Sequence, residues 1–224
     1  MADREPMYHL AEWILRPLVF PWFSYHFEGM EHIPTQGPGL VAGNHVSYFD
    51  PLLDANMIDQ AGRRPRFMAK AELFESRFLR PFLRGTHQIP VERGSGSSAP
   101  LDAALTALTQ GEVVVVYPEG TTTRNSDCSP MQGKTGIARL TLASKVPVTP
   151  LAVWGSHRVW KRGASRRLNV GRPLWAKANP AMDFSEFVDR REEPAVLRTV
   201  TDEIMAELTR MVADLRARYP KKWE

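Results

Sequence analysis

The feature that most narrows the fold is a pair of short apolar runs, each ending in a polar cluster. Val113–Tyr117 is an unbroken run with four consecutive valines, and it stops at Pro118-Glu119-Gly120-Thr121-Thr122-Thr123-Arg124. A continuous β-branched run of this length marks a strand covered on both faces. Leu40-Val41-Ala42 likewise ends at Gly43-Asn44-His45, with Asp50-Pro51 following. Open α/β sheets place their sites at the carboxyl ends of strands. The expected fold is therefore α/β, with polar residues delivered to one edge of the sheet.

His45 and Asp50 are the first candidates for chemistry. Five residues apart on a regular helix is about 140° out of phase, so the two would not meet on one helix. Pro51 disfavours helical geometry at Asp50 and suits the first helical position, which makes Asp50 a candidate N-cap. A folded-back loop would bring the Asp50 carboxylate to one imidazole nitrogen of His45 and leave the other free, as a general base requires. The plainer reading is that Asp50 only caps the helix and His45 is an ordinary loop residue. This stretch alone does not choose between them.

The chain has 224 residues, 43% of them hydrophobic, enough for one sizeable core. A net charge of +4 and a pI of about 9.4 suit an anionic membrane surface, a phosphorylated substrate or nucleic acid without choosing among them. The single cysteine, Cys128, excludes an intrachain disulfide and a cysteine-based metal cluster. The sequence contains no apolar run of about 18 residues, so no transmembrane helix is expected, and no secretory signal is evident.

Met7–Phe27 is nearly all apolar and aromatic, and Pro17 and Pro21 interrupt it. It reads as a short helix, a bend and a second helical piece of the kind that lies in a bilayer interface. A strand is expected over Phe27–Pro34. Helices are expected over Pro51–Gln60, Glu72–Leu83, Pro100–Gln110, Gly133–Ser144 and Pro194–Arg218. Further strands are expected over Arg66–Ala69, Gln88–Val91 and Val148–Trp154. The last helix carries Val196, Val200, Ile204, Leu208 and Val212 on one stripe. The organisation expected is a membrane-associating segment at residues 1–27 and one α/β domain at 28–224.

Several familiar sites are excluded. Gly133-Lys134-Thr135 has the ending of a phosphate-binding loop, but the first glycine of that pattern would fall at Cys128. There is no Gly-x-Ser-x-Gly elbow, no His-Glu-x-x-His zinc helix and no aromatic strand motif of RNA-binding sheets. What the chain does carry is Asn44-His45-Val46-Ser47-Tyr48-Phe49-Asp50, which resembles the His-x4-Asp motif of the glycerolipid acyltransferases. It is similar in particular to the 1-acylglycerol-3-phosphate (lysophosphatidate, PlsC-type) branch. Three more blocks match in order: Lys70-Ala71-Glu72-Leu73 through Gln88–Arg93, Tyr117–Thr121, and Val146-Pro147-Val148-Thr149-Pro150-Leu151.

That resemblance implies a mixed central β-sheet flanked by helices, with an N-terminal apolar helical pair for membrane attachment. It implies transfer of a long acyl chain from acyl-CoA, or from acyl carrier protein, to the free hydroxyl of lysophosphatidate. No cofactor and no metal is implied beyond that co-substrate. The implied partners are acyl-CoA, a lysophospholipid acceptor and a membrane surface, and no nucleic acid. The implied location is the cytoplasmic face of the cell membrane, held peripherally.

Carried onto this chain, His45 is the general base and Asp50 its orienting carboxylate. Backbone N–H groups near Asn44 or the Asp50–Pro51 helix start are candidates for the oxyanion. Lys70, Arg93, Glu119, Gly120, Thr121 and Arg124, with Asn44, are the candidate substrate contacts. One departure stands out. The family's third block usually reads Glu-Gly-Thr-Arg, and Thr122 takes the arginine's place here, with Arg124 two positions on. Arg124 reaching back, Lys70 with Arg93, or an acceptor without a phosphate would each accommodate this. A different lysolipid or glycolipid acceptor, and a non-catalytic membrane-binding protein of the same fold, are the alternatives.

Overall fold

The structure is a computed structural model, and it describes residues 20–92, 98–163 and 170–223, with residues 7–10, 13 and 17 before them. The strands are β1 (Phe23–Glu28), β2 (Gly39–Gly43), β3 (Pro65–Lys70), β4 (Ile89–Val91), β5 (Val113–Val116), β6 (Val148–Trp154) and β7 (Arg172–Ala178). Among the described residues they form one sheet in the order β1-β7-β6-β2-β5-β3-β4. All neighbours are parallel except β6 and β7, which pair antiparallel. The sheet is thus mixed, as expected. From residue 20 onward the α-helices are α1 (Asp50–Gln60), α2 (Leu79–Gly85), α3 (Ala99–Thr109), α4 (Gly136–Ser144), α5 (His157–Trp160) and α6 (Pro194–Arg218).

The pleat divides the core in two. Val41, Val113, Val115, Leu151 and Val153 face one side, where α1 supplies Leu53, Met57 and Ile58. Leu40, Ala42, Val114 and Val116 face the other, against Leu108 of α3, Ile137 and Leu140 of α4, and Val200, Ile204 and Leu208 of α6. Successive strand residues point to opposite faces, so a strand buried on both sides must be apolar throughout. This is why β2, β5 and β6 read as continuous apolar runs. Each fully buried aliphatic side chain contributes about 1.5–3 kcal/mol. The stripe Val196, Val200, Ile204, Leu208 and Val212 is buried along α6 as its spacing predicts.

Three expected elements differ, and β7 and α5 were not expected from the sequence. Phe23–Phe27, read as part of a second helical piece, lies in β1, an edge strand parallel to β7. Phe23, Tyr25 and Phe27 pack on the core, and Ser24, His26 and Glu28 alternate with them. That period of two outweighs the apolar character that suggested a helix. The expected strand over Phe27–Pro34 is cut short accordingly, and Met30–His32 is a tight helical turn. The helix expected over Glu72–Leu83 is split into a short turn at Ala71–Phe74 and α2 from Leu79. The split puts Pro81 in the first turn of α2, where its missing N–H and ring are tolerated.

Of the expected N-terminal helical pair, residues 7–10, 13 and 17 are helical, and the rest of residues 1–19 lies outside the described residues. Tyr8 is buried, whereas Leu10 and Trp13 are exposed. Among the described residues no helix is long and apolar enough to cross a membrane.

The edge strand is tied down by charge. Arg218 of α6 donates to Glu28 at 2.7 and 3.0 Å and to Asp214 at 2.8 and 3.1 Å, and Lys177 of β7 reaches Asp214 at 2.9 Å. The Arg218 guanidinium is the main cause that holds both Glu28 and Asp214 down to about 2. Carboxylates depressed in this way contribute stability above their usual pKa and lose it as pH falls through the folded value. Arg218→Ala should therefore lower the melting temperature by roughly 2–4 °C above about pH 5. The difference should close as pH approaches 2, and thermal melts across this range check it. A gap that does not change with pH would refute the electrostatic account.

Candidate active site

Strands β2, β5 and β6 are neighbours in the middle of the sheet, and the loops from their carboxyl ends converge. At the end of β2, Asn44 is fully buried. Its carboxamide accepts from Val153 N–H at 2.7 Å and donates to Val153 C=O at 3.2 Å. Both ends of the side chain are spent on β6, so Asn44 locks the strand ends together and is not a substrate contact. This corrects the expectation for that residue.

The next residue is His45. Its Nδ1 lies 2.9 Å from Asp50 Oδ2. The same oxygen accepts the backbone N–H groups of Val46 and Ser47, each at 2.7 Å. Asp50 Oδ1 accepts the Ser156 hydroxyl, which comes from the loop after β6. Asp50 is fully buried, and its acceptor role toward all these donors leaves the imidazole proton on Nδ1. Nε2 has no hydrogen-bond partner among the described residues. Asp50 opens α1 and does not cap it, since Phe49 is the cap position and its side chain makes no capping bond. The carboxylate turns back onto the loop that precedes it.

The β5 loop clasps His45 from the other side. Glu119 Oε1 accepts the His45 N–H at 2.9 Å, Glu119 Oε2 accepts the Met131 N–H at 2.9 Å, and Thr123 N–H donates to the His45 carbonyl at 2.6 Å. Glu119 is 3% exposed. Burial raises its pKa, against the lowering effect of the two backbone donors. Glu119 is buried and does not line the cavity described below, so it is a clamp between loops in place of the expected contact with the acceptor. The expected oxyanion donors are also spent. The N–H groups of His45, Val46, Ser47, Tyr48, Phe49 and Asp50 all have acceptors within the protein, and Pro51 has none to offer.

Tyr117 stacks on His45 with ring centroids 4.3 Å apart and planes 14° apart. Its hydroxyl donates to Asp54 Oδ2. Asp54 follows Asp50 by four residues on α1, so one helix face supports the imidazole twice, once at its edge and once through the ring stacked on it. Gly43 makes the stack possible, because a Cβ there would lie 3.0 Å from the Tyr117 ring. Asp54 is fully buried and its Oδ1 has no partner. Burial holds its pKa well above the usual range, against the lowering effect of the Tyr117 hydroxyl.

His45 opens on a cavity of about 810 Å³, the size of ordinary small-molecule sites. Leu52, Leu73, Phe82, Leu83, Val91 and Leu101 give it apolar walls, and Lys70, Gly120, Thr121, Thr122, Lys134 and Arg162 give it polar ones. Lys70 is 3.5 Å from Glu72. Gly120 adopts φ 70°, the left-handed region that favours glycine. Arg124 is exposed and is not part of the cavity wall. Arg93 lies outside the described residues. Asp54 could have been noticed in sequence from its four-residue offset from Asp50. Only the fold brings Ser156 to Asp50, and only the fold brings Lys134 and Arg162 to Gly120 and Thr121 of the β5 loop.

A model of a family described as Acyltransferase matches residues 24–154. The 1-acyl-sn-glycerol-3-phosphate acyltransferase of Bacillus subtilis is 28% identical over 148 residues, 64% of this chain and 70% of the relative. The bovine 1-acyl-sn-glycerol-3-phosphate acyltransferase alpha is 34% identical over 147 residues, 64% of this chain but 49% of the relative. The chain thus spans about half the length of the bovine protein. Among solved structures, the 1-acyl-sn-glycerophosphate (LPA) acyltransferase PlsC from Thermotoga maritima superposes with a TM-score of 0.72 at 23% identity, covering 99% of this chain and 86% of that one.

Two substitutions test the geometry. Asn44→Ala leaves both Val153 backbone groups buried and unpaired, so it should destabilise the protein by about 2–4 kcal/mol, measured by denaturant unfolding. Asp54→Asn bears on the buried carboxyl. An acid whose folded pKa is raised contributes stability at low pH and loses it as pH rises through the folded value. The wild type should lose melting temperature as pH is raised above about 4, the usual aspartate range, and Asp54→Asn should lose less. Parallel curves would show that burial does not raise the Asp54 carboxyl.

Proposed function

The chain belongs to the acyltransferase family, and from that premise we propose that it transfers a long acyl chain from acyl-CoA, or from acyl carrier protein, to the free hydroxyl of lysophosphatidate. The product is phosphatidate, for phospholipid synthesis. The observation that carries this reading is the 2.9 Å pairing of His45 Nδ1 with buried Asp50, beside a cavity with apolar and cationic walls. The names of the similar proteins support the choice of acceptor.

In this mechanism the acceptor hydroxyl approaches His45 Nε2, which takes its proton as the oxygen attacks the thioester carbonyl. Asp50 holds the imidazole in the tautomer that leaves Nε2 basic and stabilises the imidazolium that forms, as the aspartate of a serine-protease triad does. The tetrahedral intermediate then expels the thiolate, and the proton on His45 passes to that sulfur or to solvent. The substrate's hydroxyl takes the place of an enzyme nucleophile, so no covalent acyl-enzyme is needed. Tyr117, stacked on one face of the ring, restricts its tilt. The apolar walls suit an acyl chain.

The reading includes peripheral attachment at the cytoplasmic face of the cell membrane. Exposed Trp13, Trp22, Phe78 and Leu79 support it, because aromatic and aliphatic side chains of this kind favour the bilayer interface. The basic excess suits anionic lipid.

The deciding experiment is thiol release. Purified protein in vesicles receives palmitoyl-CoA and lysophosphatidate, beside His45→Ala. Acceptor-dependent release that falls by about 10³-fold or more in the variant is expected. Release without acceptor would indicate a thioesterase. Equal release by the variant would remove His45 as the base.

A further inference from the structure

We propose that the acceptor's phosphate is held by Lys134, the Thr122 hydroxyl and the N-terminus of α4, with Arg162 at the rim. This rests on the reading of the acceptor as lysophosphatidate. Thr122 stands where the resembled family's third block has arginine, so the usual cation is missing from its usual place. The structure supplies another. A Cβ at Gly120 would lie 3.1 Å from Lys134 Cε and 3.2 Å from its Nζ, so the ammonium lies directly against the Gly120 backbone. Arg162 Nη1 is 3.5 Å from Thr121 Oγ1. Lys134, Arg162 and Thr122 all line the cavity shared with His45.

The position is dictated by the acceptor's chemistry. In lysophosphatidate the reacting hydroxyl and the phosphate ester sit on adjacent carbons, so the phosphate must bind beside His45. Residues 120–122 are held there, because Glu119 and Thr123 bond to the N–H and C=O of His45. Arg124 is outside the cavity, and Lys70 is already beside Glu72.

Thr122 gives an independent sign of a ligand. It is 2% exposed and its hydroxyl has no hydrogen-bond partner, an arrangement that costs free energy unless something fills it. The cavity wall continues into Gly136 and Ile137 at the start of the nine-residue helix α4. Its first turn holds no acidic residue, and Thr135 makes no side-chain cap. The leading N–H groups of a helix have no internal acceptor and favour an anion. The Lys134 backbone is fixed by its N–H to Pro118 C=O at 2.8 Å, which sets the ammonium's origin. Among the described residues no carboxylate pairs with Lys134 or Arg162.

The test compares wild type, Lys134→Met, Lys134→Arg and Thr122→Val. Steady-state kinetics are run with lysophosphatidate, with monoacylglycerol and against varied palmitoyl-CoA. Glycerol 3-phosphate is titrated separately into each protein by calorimetry. Lys134→Met should raise KM for lysophosphatidate roughly tenfold or more. It should leave KM for palmitoyl-CoA within about twofold and weaken glycerol 3-phosphate binding in parallel. Lys134→Arg should recover most of both, which a folding defect would not, and Thr122→Val should shift them the same way by less. An unchanged lysophosphatidate KM in Lys134→Met overturns the assignment. A rise in the palmitoyl-CoA KM instead also overturns it and gives these cations to the donor. Should the wild type prefer monoacylglycerol, the acceptor reading fails by itself. The subsite then stands if glycerol 3-phosphate binds the wild type and not Lys134→Met, and falls if the two bind alike.

Discussion

A single buried carboxylate organises this molecule. Asp50 receives two backbone N–H groups of the loop that precedes it, the imidazole of His45 and the hydroxyl of Ser156. A carboxylate fully withdrawn from water is costly unless its lone pairs are filled. Here one side chain fills them from the β2 loop and from the loop after β6. The constraint works in both directions. The donors make the buried charge tolerable, and the charge fixes the loop, the first turn of α1 and the rotation of the histidine ring. Asn44 repeats the tie between β2 and β6 one residue earlier, through Val153.

The sheet order makes such a hub possible. With β2 between β6 and β5, and all three parallel, their carboxyl ends open on the same edge. One of these loops delivers the histidine, the second clasps its backbone through Glu119 and Thr123, and the third reaches its aspartate through Ser156. The histidine is thus held at its edge, along its backbone and on one ring face, leaving Nε2 toward the cavity. A general base positioned this firmly needs little reorganisation when its substrate arrives.

The polar residues expected at the substrate divide according to what burial demands of them. Glu119 and Asn44 sit too deep to leave their hydrogen-bonding groups unpaired, and the backbone claims them. Lys134 and Arg162 keep their charges in the open mouth of the cavity. Most polar groups one layer in position the histidine, and Lys134 and Arg162 are exposed beside them.

Much of this was legible in the chain. The valine run of β5, the apolar run of β6 and the 3.6-residue stripe of α6 follow from local periodicity, because burial on one or two faces leaves a direct trace in residue order. The His45–Asp50 pairing was also within reach, since both lie in one loop and Pro51 forbids the regular helix that would part them. Other features had no such trace. β1 looked helical because its aromatic character hid an alternation that only pairing with β7 makes decisive. Glu119 and Asn44 looked like ligands because their partners, Met131 and Val153, are distant in sequence and are backbone groups, which no side-chain pattern announces. Lys134, set aside as a failed phosphate-loop motif, lies against the β5 loop at Gly120, where a side chain would meet its ammonium. Local sequence determined most of the core strands and helices and placed His45 and Asp50 in one loop. The tertiary structure decided which polar groups are consumed in holding the loops together and which remain for a substrate. That choice depends on the order of strands in the sheet, and neighbours in the sheet are not neighbours in the chain.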